Sequence, residues 1–190
     1  MRRIVLLALP LLAACTTREA LTYAPPPSAS AAHGPPAIAD IFVADERGLP
    51  MQDYAAVMGP DGRPLKRVES PTSVANDVAR AFRTALAARG ELALPGHGRF
   101  DLRITIVEFV AEQYAVRQGA VDLIIRLIDR KTGREAYSTR LYAESRGHNF
   151  LAEDNQFLGS PSALNRVASA DLDRAVNEVL DRPGFTLKLS

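Results

Sequence analysis

Two stretches of the chain place apolar residues at helical spacing. The first follows Ser70 and Pro71, which suit the N-cap and first position of a helix, and ends before Gly90, which suits the positive φ of a helix C-terminus. The sequence predicts that its buried face is formed by Val74, Val78, Ala81, Phe82, Ala85 and Leu86. We expect its arginines in solvent, namely Arg80, Arg83 and Arg89.

The second helical stretch begins with Ser160 and Pro161, the same pair of residue types, and Pro183 with Gly184 ends it. Residues 185–189 are predicted to form a last strand or a tail. The apolar stripe of this predicted helix consists of Leu164, Val167, Ala168, Leu172, Ala175, Val176, Val179 and Leu180.

Alternating apolar and polar residues predict strands before and between the helices. Residues 38–43 open this pattern, and residues 54–58 and 65–68 flank Asp61 and Gly62, which predicts a hairpin. Residues 100–107 alternate as a half-buried antiparallel strand does. Residues 121–128 and 135–144 are predicted to form a second hairpin around a turn at residues 129–134.

Strands grouped apart from helices are typical of the α+β class. We therefore expect a single α+β domain over residues 38–190. Its architecture is predicted to be a largely antiparallel sheet with the two amphipathic helices packed on one face.

The first fifteen residues carry a targeting signal. Two arginines precede an apolar run over residues 4–14, which spans roughly 16 Å as a helix and is too short to cross a bilayer. This pattern is typical of a secretory signal peptide. Leu12-Ala13-Ala14-Cys15 matches the bacterial lipobox, whose cysteine thiol receives a diacylglycerol. We expect residues 1–14 to be removed as a signal peptide and Cys15 to be lipidated.

The lipid on Cys15 makes a membrane the first predicted partner, since each buried methylene of an acyl chain contributes about 0.8 kcal/mol. Thr16 stands where an aspartate favours retention in the inner membrane of enteric bacteria. We therefore expect attachment to the periplasmic face of the outer membrane, with the inner membrane as the alternative.

Residues 16–37 hold five prolines among Ser, Ala and Gly and show no apolar period. This composition predicts a disordered, partly polyproline-II linker that reaches several tens of ångströms when extended. We expect residues 15–37 to form a lipidated, proline-rich tether that is dispensable for folding of the domain.

Charge and cysteine content exclude several classes of function. The 190 residues include 23 Lys and Arg and 22 Asp and Glu, which gives a formal net charge of +1. Because a charge near zero provides no basic field, we expect no nucleic-acid partner. The single cysteine excludes an internal disulfide and a cysteine-rich zinc site.

A family resemblance rests on the lipobox, the proline-rich segment, Ala88-Arg89-Gly90 at the end of the first helix, the strand at 100–106 and the final helix at 173–180. Together they resemble the YajG-type family of bacterial lipoproteins over about residues 38–180. The order of elements is more loosely similar to other small periplasmic lipoproteins, such as auxiliary subunits of lipid-transport systems. The YajG-type resemblance offers no catalytic residues to transfer, and the looser one implies a protein that binds partners.

No pattern indicates a catalytic or metal site. His97 and His148 lie in predicted turns or loops without a nucleophile motif beside them, so we expect them to be solvated. Glu108, Glu112 and Asp122 offer a carboxylate pair across adjacent strands, but carboxylates on the polar face of a sheet are far commoner. We expect no enzyme activity, no metal and no cofactor.

Residues 144–159 join a strand to the second helix and are longer than most connections. They contain Phe150, Leu151, Phe157 and Leu158. Either the loop folds these side chains over the core, or it exposes them to a partner or a lipid. We expect the first two to cover the core and the last two to form a contact site.

These patterns favour a non-enzymatic lipoprotein that acts as a partner-binding or accessory module of the cell envelope. The alternative is a lipid- or acyl-chain-handling auxiliary subunit of an envelope transport system. An empty groove between Phe82, Leu86, Leu172 and Val176 favours the alternative, whereas a filled core there favours partner binding.

Overall fold

A computed structural model of the chain describes residues 15–27, 35–114, 116–146 and 160–189. Within these ranges, no helix is both long and apolar enough to cross a membrane. The elements in chain order are β1 (Cys15–Arg18), β2 (Ile38–Asp45), β3 (Asp53–Met58), β4 (Pro64–Glu69), α1 (Val74–Ala88), β5 (Phe100–Gln113), β6 (Arg117–Asp129), β7 (Glu135–Arg146), α2 (Pro161–Leu180) and α3 (Pro183–Leu189).

The strands form one mixed sheet in the order β1-β4-β3-β5-β6-β7, with β2 also paired to β5. The β3–β4, β5–β6 and β6–β7 pairs are antiparallel, whereas the β1–β4, β2–β5 and β3–β5 pairs are parallel. The α+β class and both predicted hairpins are confirmed, and the sheet is mostly antiparallel. The parallel pairs differ from the prediction, because alternation along a strand does not reveal the direction of its neighbour.

One edge of β5 is shared by two strands. β5 pairs with β6 along nearly all of its 14 residues. On the opposite edge, β2 pairs with the half of β5 that begins at Phe100, and β3 pairs with residues 111–113. The β5–β6 register is irregular between Ile106 and Glu108. β2 and β3 therefore meet β5 one after the other and leave a break between them.

Arg47 fills this break with a side chain that is 1% exposed. Its Nε and Nη2 donate to the two carboxylate oxygens of Asp45 at 2.8 and 2.7 Å. Its Nη1 donates to the carbonyl oxygens of Asp53 at 2.6 Å and Phe109 at 3.2 Å. Burial alone would raise the pKa of Asp45, but the hydrogen bonds and charge of Arg47 outweigh burial and lower that pKa. One guanidinium thus joins the end of β2, the start of β3 and the middle of β5.

α1 packs its apolar stripe on the sheet, and all six residues predicted for its buried face are buried. The predicted cap is wrong: the N-cap is Ser73, whose Oγ accepts the Asn76 N–H at 3.1 Å. Ser70 instead extends the β3–β4 pairing, because its N–H donates to the Gln52 carbonyl at 2.8 Å. Gly90 has a φ of 73° and follows the helix as predicted.

α2 begins at Pro161 after the N-cap residue Ser160, as predicted, and packs with α1 in one core. Residues 183–189 form α3 instead of a strand or a tail. The alternation of Phe185, Leu187 and Leu189 is misleading, because Leu187 is 75% exposed while the other two, four residues apart, are buried. Helical spacing therefore decides which side of this segment enters the core.

Arg89 is buried, contrary to the prediction that it lies in solvent. Its Nη2 donates to the side-chain oxygens of Asp181 at 2.9 Å and Asn177 at 3.0 Å. Arg89 is the C-cap residue of α1 and Asp181 is that of α2, so the pair joins the C-terminal ends of both helices. The helical wheel of α1 alone does not show this partner.

Replacing Arg47 with Met should lower the free energy of unfolding at neutral pH by about 3–5 kcal/mol, because it leaves the Asp45 carboxylate, whose side chain is only 12% exposed, and two carbonyl groups without their donor. Urea denaturation measures this loss. Since the pKa of Asp45 is lowered in the folded state, its stabilising contribution is present above the unfolded pKa of about 3.9 and is lost as the pH falls through the folded pKa.

The matched control is Arg63→Met. Arg63 pairs with Asp61 at 3.8 Å on the surface, where its side chain is 86% exposed. Its removal should change the free energy of unfolding by less than about 0.5 kcal/mol. An equally small effect of Arg47→Met would contradict the role assigned to its guanidinium.

Candidate functional site

The segment after Cys15 belongs to the folded domain. β1 pairs in parallel with β4, with Cys15 opposite Lys66 and Arg18 opposite Glu69. The Glu19 N–H continues this pairing by donating to the Glu69 carbonyl at 2.9 Å. The prediction of a disordered tether is therefore wrong for this part of the segment. Residues 28–34 lie outside the described residues.

Residues 19–24, which we call the strap, lie between α1 and α2. Leu21 of the strap is 2% exposed and joins the hydrophobic core. Its N–H donates to Oδ2 of Asp77 at 3.1 Å, and its carbonyl accepts from Nη2 of Arg80 at 3.1 Å. Arg80 also pairs with Oδ1 of Asp77, whose side chain is almost fully buried. α1 therefore holds this residue through both its backbone and its side chain.

α2 presents polar side chains to the strap at intervals of four residues, which places them on one helix face. The Thr22 N–H donates to Oγ of Ser169 at 3.2 Å. The Ala24 N–H donates to Oδ1 of Asp173 at 3.4 Å. The Tyr23 hydroxyl donates to Oδ1 of Asn177 at 2.9 Å. Successive turns of α2 thus bind successive parts of an extended chain.

Tyr54 closes the first end of the strap. Its hydroxyl donates to the Glu19 carbonyl at 2.9 Å, and Oδ1 of Asn165 lies at the same distance. Burial, followed by the negative charges of Glu19 and Asp77, raises the pKa of Tyr54 far above its ordinary value. The hydroxyl therefore keeps its proton at neutral pH and remains a hydrogen-bond donor.

At the other end of the strap, burial raises the pKa of Asp173, and the hydrogen bond from Ala24 offsets part of this increase. The groove between the helices is thus suited to an extended chain, whose amide groups it binds with neutral and acidic side chains. In this structure its occupant is the protein's own N-terminal segment.

The average composition of residues 16–37 does not reveal the strap. All five prolines follow Tyr23, and the part before them contains Leu21 and Tyr23. A second signal lies in the second helix, where Asn165, Ser169 and Asn177 recur beside the apolar stripe. Polar residues at that spacing next to a buried face can form hydrogen bonds with another segment of the chain as well as with solvent.

Of the site residues predicted from the sequence, the structure describes some and not others. Cys15 is exposed and is the first residue of β1. Phe150, Leu151, Phe157 and Leu158 lie outside the described residues, and so does His148. Their predicted roles therefore remain predictions.

The three carboxylates that offer a pair across adjacent strands lie on the sheet face opposite the helices. Glu108 faces Asp122 in the β5–β6 register, and Glu112 faces a glutamine. Asp122 accepts a bidentate hydrogen bond from Arg140, with Nε at 2.9 Å and Nη2 at 2.5 Å. His97 is exposed in a turn. In the described ranges, no three His, Cys, Asp or Glu residues lie close enough together to hold a metal ion.

Core side chains fill the space in which an acyl-chain groove would lie. Phe82, Leu86, Leu172 and Val176 each have 0% exposure and belong to one hydrophobic cluster. These four side chains therefore pack against one another and leave no open groove between them.

Comparison with known proteins shows similarity of fold only. No protein-family model and no curated protein sequence matches the chain. The crystal structure of XCC0632 from Xanthomonas campestris, described with the family DUF330, has a TM-score of 0.62 and 12% identity, and the match covers 91% of this chain and 96% of that one. At this identity the similarity shows a shared fold alone.

Two further structures are similar to smaller degrees. An uncharacterized protein has a TM-score of 0.50 and 8% identity, with 88% of this chain and 99% of that one covered. Lipoprotein GNA1162 from Neisseria meningitidis matches with a TM-score of 0.28 and 15% identity over 73% of this chain and 99% of its own. That TM-score is too low to establish a common fold.

Replacing Leu21 with Ala should lower the free energy of unfolding by about 2–5 kcal/mol, because it opens a cavity where the strap enters the core. Leu187→Ala is the control, since Leu187 is 75% exposed, and should change stability by less than about 0.5 kcal/mol. Urea denaturation of both variants measures the difference. Equal effects would show that the strap does not pack as described.

Proposed function

We propose that the chain is a bacterial lipoprotein, lipidated at Cys15 after removal of residues 1–14 and held at the periplasmic face of the outer membrane. The observation that carries this proposal is Leu12-Ala13-Ala14-Cys15, in which the cysteine is the single thiol of the chain. The exposure of Cys15 supports it, because an exposed thiol is accessible to a modifying enzyme. The helix and strand motifs quoted above support kinship with the YajG-type family.

The role we propose is a non-catalytic, accessory one in which the domain binds a protein of the cell envelope. The filled core between the helices and the sheet supports partner binding over the handling of acyl chains. The sheet face opposite α1 and α2 supports it as well. Phe42 and Tyr142 on that face are 52% and 59% exposed, so it offers large side chains to a partner.

Replacing Cys15 with Ser should abolish acylation and release the protein from the membrane fraction. Mass spectrometry of the purified protein and fractionation of cells measure the two effects. Thr17→Ser, a conservative change two residues further along the same strand, is the control and should leave both unchanged. Retention of Cys15→Ser in the membrane fraction, with unchanged processing, would refute the lipoprotein proposal.

The apolar residues predicted to lie in the loop before α2 provide the second test. If Phe157 contacts the partner, Phe157→Ser should leave the melting temperature nearly unchanged and weaken recovery of the envelope protein that the wild type captures after cross-linking. Leu187→Ser, at a residue that is 75% exposed, should affect neither. Loss of stability in Phe157→Ser without a separate binding defect would show that the loop only covers the core.

A further inference from the structure

The registers of the sheet place Cys15 in a row of residues that crosses nearly all of it. Cys15 lies opposite Lys66 of β4, which lies opposite Val57 of β3. Val57 in turn lies opposite Gln113 of β5, and Gln113 opposite Arg117 of β6. These residues therefore mark one end of the sheet, which we call the Cys15 end.

Exposed apolar side chains gather at the Cys15 end. Leu65 directly precedes the row in β4 and is 47% exposed. Tyr114 and Val116 lie between the ends of β5 and β6 and are 60% and 36% exposed. The Tyr114 hydroxyl donates to the Pro60 carbonyl at 3.3 Å, which joins this turn to the turn between β3 and β4. The start of β4 and the turn between β5 and β6 thus present large apolar groups at the same end.

No spacer separates Cys15 from the sheet, because β1 begins at Cys15 itself. Each residue of a linker adds at most about 3.6 Å of reach, and here the number of linker residues is zero. A lipid on this thiol therefore brings the Cys15 end to the bilayer surface. The opposite end of β5, at Phe100, lies roughly 40 Å away, because a strand rises about 3.3 Å per residue.

We propose that the Cys15 end of the sheet rests on the bilayer that holds the lipid anchor, with Leu65, Tyr114 and Val116 in the interfacial layer. This inference rests on the lipidation of Cys15 proposed above. A tyrosine beside aliphatic groups suits the bilayer interface, where an apolar body and a polar tip are both accommodated. The domain then stands on the membrane with its long strands pointing away from it.

The charges at this end are mixed in sign, so the contact depends on apolar groups. Nε of Arg63 lies 3.8 Å from Oδ2 of Asp61, and Nη2 of Arg146 lies 3.0 Å from Oε1 of Glu144. These pairs carry no net charge, and of the other charged residues at the row Lys66 and Arg117 are positive and Glu112 is negative, so this end has little net charge to attract anionic lipid. The contact should therefore change little when the salt concentration is raised from 0.1 M to about 0.5 M, at which surface charges are strongly screened.

The chain contains no tryptophan, so one introduced tryptophan reports the position of its own site. We would prepare the acylated protein as Leu65→Trp and, separately, as Leu94→Trp. Leu94 is 74% exposed, and its neighbour Ala93 bonds to Ile38, which pairs with Phe100 at the far end. The two variants thus carry the same substitution at exposed leucines on opposite ends of the sheet.

Each variant is placed in vesicles of phosphatidylethanolamine and phosphatidylglycerol with brominated acyl chains, which quench tryptophan near the hydrocarbon. We expect quenching of Leu65→Trp to exceed that of Leu94→Trp by about twofold or more, because the sites differ in height by more than half of a bilayer core. Val116→Trp provides a second reporter at the Cys15 end and should follow Leu65→Trp.

Equal quenching at the two ends, or stronger quenching of Leu94→Trp, would overturn the orientation. Mass spectrometry of the same samples shows separately whether Cys15 carries its lipid. Acylated protein with equal quenching refutes the orientation alone, whereas a wild-type protein without lipid refutes the proposed function together with it.

Discussion

The buried guanidinium of Arg47 bridges the part of the β5 edge that pairs with neither β2 nor β3. β5 is too long for either β2 or β3 to pair with alone, and the two strands meet it in succession. Arg47 supplies donors to carbonyl groups on β3 and β5 at the break, while Asp45 neutralises it. Without this contact β3 has only a short parallel pairing to hold it beside β5, and the strands attached to β3 depend on it.

The outer part of the sheet follows from that position of β3. β4 pairs with β3 as a hairpin, and β1 pairs with the free edge of β4. The strap then continues from β1 into the space between α1 and α2, where Leu21 reaches the core. The position of Cys15 therefore depends on three pairings in turn, β1 with β4, β4 with β3, and β3 with β5. Arg47 supports the last of these.

Local patterns predicted the elements well, and they predicted the contacts between elements poorly. The apolar stripe of α1 and the alternation of β5 are properties of single segments, so they are visible in the sequence. The direction of the β2–β5 pair and the burial of Arg89 depend on residues distant in the chain. Ser70 shows the same limit, because its N–H donates to Gln52, just before β3, and its Oγ accepts the Thr72 N–H, so Ser73 caps the helix.

Cys15 can be recognised in the sequence as a candidate site residue, whereas the strap beside it cannot. Averaging composition over residues 16–37 concealed a first part that packs and a second part that holds the prolines. The polar side chains of α2 were equally ambiguous, since a hydrogen-bonding row on a helix suits water as well as a backbone. Only the structure shows that Ser169 and Asp173 bind main-chain N–H groups.

The parallel pairing of β1 with β4 also determines how the protein bears mechanical load. A pull on Cys15 away from the domain acts along the axis of β1, while its hydrogen bonds to β4 lie across that axis. Those bonds are loaded together in shear instead of being opened one after another like a zipper. Leu21 and its bonds to Asp77 lie behind them in the same line of force. The segment next to Cys15 therefore resists such a pull and does not extend as a flexible linker would.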